Sequence, residues 1–178
     1  MKGAVRPAGP LSARWLLPAK PASVGEARRR VDRTLITWGL RMPREARESL
    51  SLVVSELVTN GVTHGGSGTK VTVHVAASRV RHEILVEVYD LDQHLPTVQV
   101  AQDEDENGRG MFLVDAYTSG QWGSEQTEEG KRVWALMPLP LSPRELRRRQ
   151  LHERLKAALP QQPTASMRGD LQCDLLSA

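Results

Sequence analysis

VTVHVAASRVRHEILVEVYD, residues 71–90, holds two runs in which every second residue is apolar and mostly β-branched. Val71, Val73 and Val75 alternate with Thr72, His74 and Ala76, then Ile84, Val86 and Val88 alternate with Leu85, Glu87 and Tyr89. Period two marks a strand with one buried face, because successive side chains leave a pleated backbone on opposite sides. The runs are separated only by the break at Ser78 to Arg81, so they form an antiparallel hairpin and not the ends of a helical crossover.

Upstream, LSLVVSELVTNGVTH (residues 50–64) changes the period to that of a helix. Pro43 suits the first turn of that helix. Asn60-Gly61 is one candidate stop, but His64-Gly65-Gly66 matches the end of the apolar periodicity. Before it, Ser23-Val24-Gly25-Glu26 fits a capping box, opening a helix with the stripe Val24, Ala27, Val31, Leu35 and Trp38. Ser12 to Leu17 fits one edge strand with Trp15 and Leu17 inward. Downstream, Gln99 to Asn107 is polar and aperiodic, a loop. Gly108-Arg109-Gly110 leads into a short apolar helix from Met111 to Val114. Gln121 to Glu125 and Lys131 to Leu139 read as strands. Ser142-Pro143-Arg144-Glu145 fits a second capping box, opening a basic helix to about Leu159.

The order is strand, two helices, hairpin, loop, short helix, strands, helix. This predicts an α+β fold, a two-layer α/β sandwich with helices on one face of a mixed, mostly antiparallel sheet. The expected divisions are a flexible N-terminus (1–11), one domain (12–140), a basic C-terminal helix (141–160) and a disordered tail (161–178).

Net charge is +3, yet it is segregated: residues 1–49 are net +7, residues 50–130 net −9 and residues 131–178 net +5. The acidic middle disfavours a nucleic-acid groove and would repel a bare polyphosphate unless a divalent cation came with it. The single cysteine, Cys173, excludes an internal disulfide and a CxxC metal site. No apolar run is long enough to span a membrane or serve as a signal peptide, so the chain reads as cytoplasmic.

Glu56, Asn60 and His64 follow at i, i+4 steps, stacking a carboxylate, an amide and an imidazole along one helix edge. They border the apolar stripe of Leu50, Val54, Leu57 and Gly61, the placement of a pocket mouth. The same three residue types are also ordinary solvated helix-surface residues. Two later stations decide between these readings: Asp90 at a strand end, and Gly108-Arg109-Gly110 before a helix. An amide oxygen is a hard ligand for Mg²⁺, and a nearby Glu can deprotonate a hydroxyl. A strand-end carboxylate accepts from an exocyclic amine. Glycines ahead of a helix let backbone N–H groups approach phosphates.

ELVTNGVTH, VYDLDQHLP, GRGMFLV and GKRVWALMPL, in that order, resemble the N, G1 and G2 boxes and closing strand of the histidine-kinase-like ATPase (Bergerat, GHKL) superfamily. Within it the chain is most similar to the anti-sigma factor serine/threonine kinase type found in actinomycetes, over roughly residues 12–140. The resemblance implies ATP and Mg²⁺ as cofactors, with Asn60 on the metal, Glu56 as catalytic base and Asp90 on the adenine amino group. It implies Gly108, Arg109 and Gly110 around the phosphates under a lid from about Thr97 to Asn107. His64 falls near the phosphates or is a helix cap. The implied partners are a small anti-sigma antagonist, phosphorylated on Ser or Thr, and a sigma factor. A non-catalytic regulator that sequesters its partner is the alternative.

The chain departs from the family pattern at Asp92, where the G1 box D-x-G-x-G has glycine, and at Gly61, where alanine is usual. The first implies looser ATP binding, and the second weakens the helix by ~1 kcal/mol. Outside these boxes, His74 and His82 read as surface histidines, and the four tryptophans as core or near-core packing. Arg147-Arg148-Arg149 reads as the solvated face of the last helix before it reads as a nucleic-acid grip. The leucines of that helix suit docking on the domain or on a second subunit in a homodimer.

Overall fold

Three strands meet the core through one alternating row each. Val71, Val73, Val75 and Ala77, then Ile84, Val86 and Val88, then Val133, Ala135 and Met137 are all buried. In the computed structural model, which describes residues 11–64, 69–97, 109–141 and 143–158, these rows line up in a five-stranded sheet. The elements are β1 (Leu11–Pro18), α1 (Ala22–Thr37), α2 (Arg44–His64), β2 (Lys70–Ser78), β3 (Glu83–Asp90), α3 (Arg109–Thr118), β4 (Trp122–Gln126), β5 (Lys131–Pro138) and α4 (Pro143–Ala158). Strand order is β1-β2-β3-β5-β4, and every pairing is antiparallel, not mixed. Hairpin connections and the return of β5 beside β3 leave no parallel neighbours.

α1, α2 and α3 pack over the valine-rich face. α2 is the central helix: Leu50, Val53, Val54, Leu57, Val58 and Gly61 are buried along it. Burying each such aliphatic side chain contributes ~1.5–3 kcal/mol, which outweighs the weak helix propensity of Asn60 and Gly61. The helix therefore runs through them to His64. α1 ends in a Schellman turn: Gly39, at φ 69, donates to Ile36 O, and the Leu40 N–H donates to Leu35 O.

One cap differs from the sequence expectation. α1 begins at Ala22 with Pro21 as N-cap, and no side chain caps it. Ser23 lies inside the first turn, buried, with its hydroxyl donating to Pro18 O at 2.6 Å, and Glu26 pairs with Arg30 instead. The hydroxyl thus ties α1 to the end of β1. Ser142 of the second expected capping box lies outside the described residues, as do residues 1–10 and 159–178.

The opposite sheet face carries a polar row across all five strands. The Ser12 hydroxyl meets His74 Nε2 at 2.7 Å, His74 Nδ1 meets Glu87, and Arg132 bridges Glu87 (2.6 Å from Nε) and Glu125 (2.7 Å from Nη1). Arg14 lies 5.1 Å from the Tyr89 ring centroid. His74 is therefore part of a cross-strand ladder, not a free surface histidine. Trp134 packs over Gly123 on this face, outside the core, whereas Trp15, Trp38 and Trp122 pack against the core. Among the described residues no helix is long and apolar enough to cross a membrane. α4 belongs to a unit of its own.

Candidate functional site

Asp90 is the last residue of β3 and is in phase with Ile84, Val86 and Val88, so the pleat turns its carboxylate toward the helices. α2 crosses above it. A Cβ at Gly61 would lie 3.3 Å from Asp90 Oδ2 and 3.2 Å from Val71 and Val88 Cγ1. Glycine at 61 therefore keeps α2 close to the sheet while leaving room beside that oxygen. One position earlier, Asn60 borders the same stripe.

Asn60 Oδ1 and Asp90 Oδ2 are buried and have no hydrogen-bond partner among the described residues. An unsatisfied buried acceptor costs ~1–3 kcal/mol, and native folds keep few of them. Two such open acceptors, one on α2 and one at the end of β3, could serve a ligand. Their chemistry suits a hard cation at the amide oxygen and an N–H donor at the carboxylate.

Glu56, one turn before Asn60, reaches toward α3. A Cβ at Gly110 would come within 2.6 Å of Glu56 Oε2, so the carboxylate lies against the amino end of that helix. α3 opens at Arg109 and has no acidic residue in its first turn. Its first backbone N–H groups and positive dipole end are unopposed by a local carboxylate of their own helix. Burial raises the Glu56 carboxyl above its ordinary range, the direction that makes it a stronger base.

The structure thus brings together Glu56, Asn60, Asp90 and Gly110 around α2. Arg109 is the exposed first residue of α3, and His64 is the exposed last residue of α2, one turn beyond Asn60. Gly108 and residues 98–107 of the expected lid lie outside the described residues. A groove of about 440 Å³ between α1 and α2, lined by Arg28, Asp32, Arg47 and Leu50 among others, contains none of the site residues.

Sequence reasoning passed over Lys131. It pairs in register with Asp90 and is 1% exposed. Its Nζ lies 3.2 Å from Asp90 Oδ1 and 2.6 Å from Asp92 Oδ2. The signal was available: Lys131 is in phase with Val133, Ala135 and Met137, so the same alternation that buries them buries it. Asp90 Oδ1 also accepts the Asp92 N–H at 2.9 Å, and Asp92 Oδ1 accepts from His94. The Lys131 hydrogen bond, with support from His94, holds the Asp92 carboxyl well below the usual carboxylate range. Asp90 moves the other way, because its burial outweighs the Asp92 N–H and Lys131.

The family model described as histidine kinase-like ATPase domain matches residues 17–136, more than half of the chain, from the end of β1 into β5. A search of curated proteins finds no match.

Proposed function

The chain belongs to the histidine kinase-like ATPase domain family, and we propose that it is an ATP- and Mg²⁺-dependent regulatory protein kinase of the anti-sigma type, acting in the cytoplasm. Its substrate would be a Ser or Thr hydroxyl on a small antagonist protein, whose phosphorylation decides whether a sigma factor is held or released. The pair of open buried acceptors, Asn60 Oδ1 and Asp90 Oδ2, carries the nucleotide reading.

In this reading Asp90 Oδ2 would accept from the adenine amino group, and Asn60 Oδ1 would help hold Mg²⁺. Bound Mg-ATP supplies the transferable phosphoryl group and a cation that neutralises charge developing on it. Glu56 would take the proton of the acceptor hydroxyl and so activate its oxygen toward the terminal phosphoryl group that bound ATP would supply, with ADP as the leaving group. The raised affinity of Glu56 for a proton serves that step. The amino end of α3, with Arg109 and Gly110, offers backbone N–H groups to the phosphates. Gly108 and His64 would adjoin the same phosphates.

Asp92 in place of the G1 glycine supports a second reading, in which nucleotide binds without phosphotransfer and the protein works by sequestering its partner. Calorimetric titration with Mg-ATP, beside transfer of labelled γ-phosphate to the antagonist, separates the two. The kinase reading expects saturable binding and labelling, both lost in Asn60→Ala. Binding without labelling favours the second reading, and intact labelling by Asn60→Ala refutes the role of Asn60.

A further inference from the structure

We propose that Lys131, clamped by Asp92, is a positioning residue that presents Asp90 to the amino group of the nucleotide base, and that the side chains at 92 and 131 compensate one another. The inference rests on the nucleotide reading above and deepens it.

The geometry is specific. Asp90 has two carboxylate oxygens with separate duties. Oδ1 is held by the Asp92 backbone N–H at 2.9 Å and by Lys131 Nζ at 3.2 Å. Oδ2 is buried, without a partner among the described residues, and beside the space left by Gly61. Fixing one oxygen fixes the other, because the carboxylate is planar. Lys131 is itself fixed by Asp92 Oδ2 at 2.6 Å, and Asp92 in turn by the His94 N–H and ring.

Charge explains why Asp92 and Lys131 come as a pair. A buried ammonium facing Asp90 alone would bind both its oxygens and compete with any base for them. A second carboxylate at 92 facing Asp90 alone would repel it. Together Asp90, Asp92 and Lys131 carry one net negative charge, the same as a lone Asp90 followed by glycine. Burying a lysine at 1% exposure is tolerable only with such partners.

Removing Lys131 therefore leaves two carboxylates close together with no cation between them, and Asp90 is lost as an acceptor. Removing both Lys131 and Asp92 restores the simpler arrangement. The readout must isolate the amino group. Purine riboside 5′-triphosphate lacks the 6-amino group of ATP and is otherwise the same ligand.

The test measures the affinities of the full chain for ATP and purine riboside 5′-triphosphate, each with Mg²⁺, in four proteins. The unsubstituted chain should prefer ATP by about 10- to 100-fold, the worth of one hydrogen bond to a carboxylate. In Lys131→Met the preference should fall to within about threefold, with the analogue's affinity little changed. In Asp92→Gly/Lys131→Met it should return to roughly tenfold or more. Asp92→Asn keeps Lys131 but turns its ammonium wholly to Asp90, and should reduce the preference by threefold or more even if Lys131→Met fails to fold. Retention of the ATP preference in Lys131→Met, equal loss for both nucleotides, or no recovery in the double variant overturns the proposal. Absence of binding by either nucleotide to the unsubstituted chain overturns the nucleotide reading itself and the inference with it.

Discussion

Gly130 and Gly110 both lie beside site residues, and the same Gly→Ala change should have opposite consequences at the two. Neither is held by a left-handed backbone: Gly39 and Gly120 are the glycines at positive φ among the described residues. The requirement at 130 is steric. A Cβ there would stand 2.6 Å from Leu91 Cα and 2.8 Å from the Asp90 carbonyl carbon, and nearer still to its oxygen. These are backbone atoms at the end of β3, held by the β3–β5 pairing of Asp90 with Lys131, so neither side can yield without breaking the register. Overpacking of side chains costs ~1–3 kcal/mol, and a clash between two backbones belongs at or beyond the top of that range. For a domain of this size ~3 kcal/mol lowers Tm by roughly 6–12 °C. At 110 the near atom is Glu56 Oε2 at 2.6 Å, the far end of a flexible side chain. The carboxylate can swing away, and alanine in α3 offsets part of the cost through helix propensity. Gly110→Ala should therefore keep Tm within ~3 °C and retain Mg-ATP affinity while losing phosphotransfer by ~100-fold, the lower end of what a general base contributes. Thermal unfolding of both variants, with calorimetry and the transfer assay on Gly110→Ala, makes the comparison. Equal Tm for the two variants would refute the steric reasoning at 130. Undiminished transfer by Gly110→Ala would refute the placement of Glu56 as base.

Glu56→Gln should abolish phosphotransfer and raise Tm at neutral pH. Because the folded-state pKa of Glu56 is raised, its ionisation penalises the fold as pH climbs above the ordinary carboxylate value, so the Tm advantage of the variant should vanish near pH 4. A lower Tm for Glu56→Gln at pH 7 would contradict this. At Glu87 burial pushes the carboxyl up, but hydrogen bonds from His74 and Arg132 win and hold it below its ordinary range. Its contribution is present above the ordinary carboxylate pKa and lost as pH falls through the depressed one. Glu87→Gln should destabilise by ~2 kcal/mol at pH 7, and denaturant unfolding should show the difference shrinking below about pH 4.

Most of the fold was legible because it rests on periodicity. The hairpin at 71–90, the α2 stripe and the inward row of β5 each follow from where apolar residues recur. The α1 cap was misread because Ser23 and Glu26 satisfy a pattern that a local rule cannot distinguish from a tertiary use. The Ser23 hydroxyl is taken by Pro18 O across the β1–α1 turn, and Glu26 by Arg30. The same limit applied at His74: its role depends on Ser12 and Glu87, which only strand pairing brings beside it. At the candidate site, the residues that match family boxes could be named from the sequence and Lys131 could not, since a lysine at a strand start looks like an exposed end until the register with Asp90 is known.

The departures from the G1 pattern change meaning once that register is fixed. Read along the chain, Asp92 adds a side chain and a negative charge beside the base site, which argues for weaker binding. Read across the sheet, it faces a buried ammonium that would otherwise be intolerable, and the pair leaves the local charge where a single aspartate would put it. Gly61 acts in the same place: omitting a methyl there leaves room beside Asp90 Oδ2, which among the described residues has no partner while Oδ1 is clamped. A site that had merely decayed would carry uncompensated changes, each costing on the order of 1–3 kcal/mol as an unpaired buried charge or polar group. Here Asp92 and Lys131 meet at one carboxylate, and each removes a cost that the other would impose. That mutual dependence argues that Asp90 is still held for a ligand.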